Sequence, residues 1–233
     1  MIIILFFGAL LFVGCNPANQ AVSPGNHIVF FGDSITELGD KPGGYVSLIR
    51  DSLSRAADAP GVSVIGAGRS GDRVPDLLER LDRDVLNLHP RLVVIYIGIN
   101  DVWHHTLPFR KGTSKEDYES GLRELIRRAD DTGARVMLCT PSVIGERPDG
   151  SNSLDSMLEE YAAISRRVAA SVNVPLCDLR RSFIAYLKQN NPQTKEAGIL
   201  TTDSVHLNDA GNRFVAGELL KALREWKLLD NTQ

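Results

Sequence analysis

The chain has 233 residues, of which 43% are hydrophobic and 24% charged, with a net charge of −3. That length and balance suit one globular domain with a sizeable core, and they exclude a disordered or fibrous chain. The slight acidity gives no basis for binding nucleic acid or an anionic membrane surface.

The chain opens on an unbroken apolar run, Met1–Val13, followed by polar Asn16–Gln20. The run is too short to cross a bilayer comfortably and has the shape of a signal-peptide core. Phe12-Val13-Gly14-Cys15 resembles a bacterial lipobox, whose cysteine is lipidated and becomes the mature N-terminus. Phe12 stands where leucine is usual, and no Lys or Arg precedes the run. The expectation is an exported protein of the cell envelope, anchored through Cys15 or secreted, with membrane contact only through that N-terminus. Residues 1–25 are read as signal and linker, and 26–233 as a single domain.

Strand and helix patterns then alternate. Ile28–Phe31 predicts a first strand, and Gly44–Ala57 a helix through Tyr45, Leu48, Ile49 and Leu53. Val62–Ile65 is a second strand, and Val74–Leu88 a helix carrying Leu77, Leu78, Leu81, Val85 and Leu88. Leu92–Ile97 is apolar on both faces, as a central parallel strand must be. Lys115–Asp131 reads as a helix with Ser114 as N-cap and Gly133 just past its end. Arg135–Cys139 and Val174–Cys177 are further strands, and Ser153–Ser171, Ser182–Gln189 and Asp209–Leu220 further helices. The pattern predicts an α/β fold: a three-layer, doubly wound, flavodoxin-like sheet of five parallel strands flanked by helices. Functional residues should then follow the carboxyl ends of strands. Cys139 and Cys177 sit in such apolar runs as small core residues, while an exported location also permits a bridge between them.

Four segments carry chemistry. Gly32-Asp33-Ser34 follows the first strand, where a glycine permits a tight exit and a following helix start can face an anion. Taken alone, Asp33-Ser34 reads equally well as a capping pair. Gly66-Ala-Gly68-Arg-Ser-Gly71 follows the second strand and matches G-x-G-x-x-G. That dinucleotide fingerprint requires an acidic residue at the end of the next strand, about 20 positions on, and none stands there. The glycines serve better as backbone N–H donors to an oxyanion. Gly98-Ile99-Asn100-Asp101 follows the third strand, where an asparagine amide can donate into the same crevice or close an Asx-turn. Finally Asp203-Ser-Val-His206 precedes the last helix, whose N-cap is Asn208 or Asp209. A serine hydroxyl needs an imidazole to take its proton, and the imidazole needs a carboxylate to fix its tautomer.

With these four segments in order, the chain resembles the SGNH, or GDSL-type, hydrolase superfamily. The resemblance runs through Gly32-Asp33-Ser34, Ser70-Gly71-Asp72, Gly98–Asp101 and Asp203–His206, and covers essentially everything after the signal. It implies Ser34 as nucleophile, His206 as base and Asp203 as its orienting group. It also implies the Ser34 and Gly71 N–H groups and the Asn100 side chain as oxyanion donors, with Gly68 a second candidate for the glycine role. Ile99 departs from the family's usual glycine. Asp33, Trp103 and His104 are candidate pocket residues, joined by Tyr45 and the Pro108–Gly112 loop. His104-His105 make a poor metal pair, and neither a metal nor another cofactor is expected.

The implied activity is ester hydrolysis by acyl transfer on a small-molecule or glycan ester. The envelope location and the lack of a long apolar lid insertion favour short acyl groups, such as acetyl on a carbohydrate. Alternatives are a lysophospholipase or thioesterase of the same superfamily, and a non-catalytic glycan-binding module.

Overall fold

The computed structural model describes residues 25–56, 59 and 61–229. The apolar N-terminal run and Cys15 lie outside these. Five strands, β1 (His27–Gly32), β2 (Ser63–Gly68), β3 (Leu92–Tyr96), β4 (Arg135–Cys139) and β5 (Leu176–Cys177), form one all-parallel sheet in the order β2-β1-β3-β4-β5. This is the flavodoxin-like order. Its chain direction reverses between β1 and β3, so the loops leaving those two strands diverge and open a crevice.

β3 is buried along its whole length, and so is β1 from Ile28 onward, as strands covered on both faces must be. Their shared register pairs Phe31 with Ile95 and Gly32 with Tyr96. Two contiguous sets of helices flank the sheet. One comprises α1 (Ser34–Gly39), α2 (Tyr45–Ser54), α7 (Leu179–Asn190) and α8 (Asp209–Glu225). The other comprises α3 (Val74–Asp84), α4 (Ile99–Trp103), α5 (Lys115–Asp130) and α6 (Asp155–Ser171). Helix α5 shows why: Tyr118, Leu122, Leu125, Ile126 and Ala129 recur on one buried stripe, and the Ser114 hydroxyl caps its start by accepting from Asp117 N–H at 3.0 Å. Among the described residues no helix is long and apolar enough to cross a membrane.

Several expected boundaries move for identifiable reasons. The α3 helix stops at Asp84 rather than Leu88, and a short 3₁₀ turn over Leu86–Leu88 ends at His89 with φ 49°. Pro90 follows, and the residue before proline is driven out of the helical region. β5 is two residues long because Val174 spends its N–H closing α6 on the Ala169 carbonyl, and Pro175 has none to give. α4 occupies a stretch where only a turn was expected. Cys139 and Cys177 face each other in register on β4 and β5 as free, buried thiols. Burial pushes the Cys139 thiol pKa up, which keeps it protonated.

Candidate active site

The site starts with the tight exit from β1. A Cβ on Gly32 would lie 2.3 Å from the Tyr96 carbonyl and 2.4 Å from Thr36 Oγ1, so only glycine fits between β3 and α1. Asp33 then caps α1 by accepting from Ile35 N–H at 3.0 Å. Ser34 is thereby the first helical residue, and its N–H makes no hydrogen bond among the described residues.

The Asp203–His206 loop reaches Ser34 directly. His206 Nε2 lies 2.9 Å from Ser34 Oγ, and His206 Nδ1 lies 2.7 Å from Asp203 Oδ2. Asp203 Oδ1 also accepts from the His206 and Val205 backbone N–H groups, at 2.8 and 3.2 Å. Ser204, at φ 79°, provides the reversal that lets residues three apart face each other. Partial burial works to raise the Asp203 carboxyl, but the donors from His206 and Val205 outweigh it and hold the group below the usual carboxylate range. The arrangement can pass a proton from a hydroxyl to an imidazole whose other nitrogen is fixed by a carboxylate.

The loop that carries His206 hangs from Glu146, a fully buried residue that sequence reasoning missed. Its carboxylate accepts the consecutive N–H groups of Ile199, Leu200 and Thr201 at 2.6–2.7 Å. Beside it, Gly145 N–H donates to the Ser204 carbonyl at 2.8 Å. Asn208 caps α8 immediately after the loop by accepting from Gly211 N–H.

The opposite side of the crevice is the turn after β2. Gly71 sits at φ 84°, a conformation that favours glycine, and its N–H is without an acceptor among the described residues. Asn100, on α4, donates from Nδ2 to the Asp72 carbonyl at 3.0 Å, which leaves its second amide hydrogen unused. Gly68 packs against α1 instead, where a Cβ would come within 2.1 Å of Glu37 N. The turn is fixed by Arg80, another residue without a motif to mark it. Its guanidinium reaches the Asp72 carboxylate at 2.5 Å and the Gly32 and Ala67 carbonyls at 2.8 and 2.9 Å, and it lies over the Phe31 ring. One side chain thus ties the ends of β1 and β2 to the turn that bears Gly71 and Asp72. Its only sequence signal is an arginine between Leu77 and Leu81 on the apolar face of α3.

Beneath the crevice lie acidic groups whose pKa burial raises. Burial pushes the Asp33 carboxyl up to about 7, against the Ile35 N–H and with help from Asp101 and Asp72. Burial likewise raises Asp101 to about 6, although Val74 N–H donates to both its oxygens. Asp72 is also raised, because burial outweighs its pairing with Arg80.

The pocket-wall expectations divide. Asp33, 2% exposed, is under the site rather than on its wall. Tyr45 is buried in the core with its hydroxyl on Thr36. Trp103 packs against the core. His104 does line a cavity, together with Phe109, Arg110 and Lys111 of the expected loop. Among the described residues no cluster of His, Cys, Asp and Glu is arranged to hold a metal ion.

The sequence profile of the GDSL-like lipase/acylhydrolase family matches residues 30–214. An acetylxylan esterase of Geobacillus stearothermophilus is 30% identical over 223 residues, spanning 88% of this chain and 97% of that protein. The crystal structure of the acetyl xylan esterase AlAXEase superposes with a TM-score of 0.82 at 42% identity, covering 84% of this chain and 99% of that one. The α/β hydrolase LAE5, from the metagenome of Lake Arreo, Spain, superposes with a TM-score of 0.75 at 31% identity, covering 87% and 96%. Solved variants of the Geobacillus stearothermophilus enzyme described as catalytic mutants carry alanine in place of a serine, an aspartate and a histidine. Fold and relatives together make this protein a hydrolase of ester bonds. The chain belongs to the GDSL-like lipase/acylhydrolase family.

Proposed function

We propose that the protein removes acetyl groups from a carbohydrate by acyl transfer through Ser34. The observation that carries this reading is the hydrogen-bonded relay from Ser34 through His206 to Asp203, at 2.9 and 2.7 Å. In it, His206 Nε2 takes the Ser34 proton as Oγ attacks the ester carbonyl. The resulting oxyanion meets the Ser34 and Gly71 N–H groups and the free amide hydrogen of Asn100, each donor contributing about 3 kcal/mol. His206 returns the proton to the departing sugar hydroxyl. Water then attacks the acyl-enzyme by the same route, releasing acetate and the Ser34 hydroxyl. Asp203 holds the imidazole tautomer and stabilises its charged form.

Support for an acetylated sugar as substrate comes from the acetylxylan esterases among the relatives. The same relatives, by their described catalytic variants at serine, aspartate and histidine, support the roles given to Ser34, Asp203 and His206. The test is release of acetate from acetylated xylo-oligosaccharides and from p-nitrophenyl acetate by wild type and by Ser34→Ala. Turnover that survives in Ser34→Ala would overturn the mechanism, and preference for long-chain esters would overturn the substrate. We further propose export with a lipid on Cys15, supported by the apolar Met1–Val13 run and Phe12–Cys15. Fatty-acid labelling that persists in Cys15→Ser would refute lipidation.

A further inference from the structure

The crevice does not end at the ester site. Gly71 and Asp72 also form part of the wall of a cavity of about 310 Å³ that reaches across to the loop after α4. This is the small end of the ligand-pocket range and gives room for a sugar unit rather than a fatty chain. Inside it lies His104, 5% exposed, whose imidazole makes no hydrogen bond among the described residues. Its ring nitrogens are not among the buried unsatisfied polar atoms, so they open onto the cavity's solvent, where a ligand can meet them.

The charge around that ring is one-sided. The carboxylates lining the cavity are already engaged, Asp72 by Arg80 at 2.5 Å and Asp76 by Arg73 at 2.9 Å. Arg69, Arg110 and Lys111 also line it, all exposed, and none forms an ion pair with a described carboxylate. Three uncompensated cations thus face one small cavity on a chain whose net charge is −3. Within the site, burial first, then the charges of Arg110 and Arg73, hold the His104 pKa below the ordinary histidine range. The ring is therefore neutral near pH 7, with one N–H to donate.

Phe109 completes the rim. Its ring is fully exposed, and its backbone sits at φ 63°, where residues other than glycine are uncommon. An apolar ring beside two guanidinium forks offers one surface for the face of a sugar and another for a carboxylate.

We infer that this cavity is a subsite for a carboxylate-bearing sugar, so that the enzyme prefers acetyl esters on an acidic, uronic-acid-substituted glycan to those on a neutral one. The inference rests on the esterase reading above and names the substrate class of the same site. A localised trio of cations fits a single carboxylate better than a long polyanion, which needs an extended basic track.

The experiment compares kcat/KM for acetylated xylo-oligosaccharides with and without a glucuronic acid branch. Wild type and the double variant Arg110→Ser, Lys111→Ser are measured at low and at high ionic strength. The acidic-to-neutral ratio is expected at roughly 10- to 100-fold in wild type, the range of charge-assisted hydrogen bonds. It should fall towards one in the double variant and in high salt. Because each ratio is taken within one protein, partial unfolding of the variant does not move it. A wild-type ratio near one, or a ratio the double variant leaves intact, overturns the subsite. Calorimetric binding of the same two oligosaccharides, deacetylated, to Ser34→Ala separates this claim from the esterase reading. Tighter binding of the acidic one supports the subsite even if hydrolysis fails, and equal binding overturns it even if hydrolysis succeeds.

Discussion

Arg80 and Asp72 meet at 2.5 Å with both side chains almost wholly buried, and the Asp72 carbonyl is in turn the acceptor for Asn100 Nδ2. A pair placed for folding therefore also sets where the Asn100 amide points. Arg80→Ala should cost about 3–5 kcal/mol, because it strands the Asp72 carboxylate in the interior. It should lower kcat as well, since the turn bearing Gly71 loses its tie to β1. Urea denaturation beside p-nitrophenyl acetate turnover measures both. A stability loss under about 1 kcal/mol would show that the turn holds itself.

Glu146 offers a second test of support at a distance. Two carboxylate oxygens accept three consecutive N–H groups ahead of Asp203. Glutamine keeps one accepting oxygen and brings an NH₂ against the remaining donors. Glu146→Gln is expected to cost about 2–3 kcal/mol, the scale of a charge-assisted hydrogen bond lost in the interior, and to reduce kcat more than it changes KM. Unaltered kcat in folded protein would free the His206 loop from any dependence on this anchor.

For Asp203→Asn the two jobs of the side chain separate. The remaining carbonyl can still accept from the His206 and Val205 backbone, so the turn persists. The new amide, however, offers a donor to Nδ1 and selects the wrong imidazole tautomer. The expected result is a fall in kcat of about 10²- to 10⁴-fold with a nearly unchanged melting temperature. A large drop in melting temperature would mean the carboxylate matters mainly for the loop.

Asp33 makes stability depend on pH in a stated direction. Its carboxyl is held near 7 in the folded protein against an ordinary value of 3.8. The folded state therefore keeps a proton that the unfolded chain releases, and stability falls as pH rises through that window, then levels off above it. Asp101, raised to about 6, acts in the same sense. Asparagine still caps α1 and carries no charge. Asp33→Asn should thus lose less stability than wild type between about pH 5 and pH 8, ending roughly 1–3 kcal/mol ahead at the upper end. Parallel pH profiles for the two proteins would remove Asp33 as the cause.

The parts of this molecule that are legible in sequence are those with a local signature. β3 announces itself because every residue of Leu92–Tyr96 is apolar and buried, and Ser34, Gly71, Asn100 and His206 stand in short motifs after strands or before a helix. Arg80 and Glu146 have no such mark, because their partners lie up to 48 and 55 residues away and only the folded sheet brings them together. β2 runs on through Gly66–Gly68, where glycines read as the end of a strand rather than its interior. Tyr45 looks like a pocket aromatic by type, but α2 turns it into the core, where its hydroxyl finds Thr36. A side chain's direction is decided by packing that no window of sequence contains.

The hydroxyl and the imidazole that meet at 2.9 Å come from positions 172 residues apart. No fragment that stops short of His206 can bring the two together, so under the proposed mechanism every such fragment is chemically silent. Under that mechanism turnover reports that both stretches are present in one chain, and a chain cut ahead of Asp203 should be as inactive as one lacking the serine.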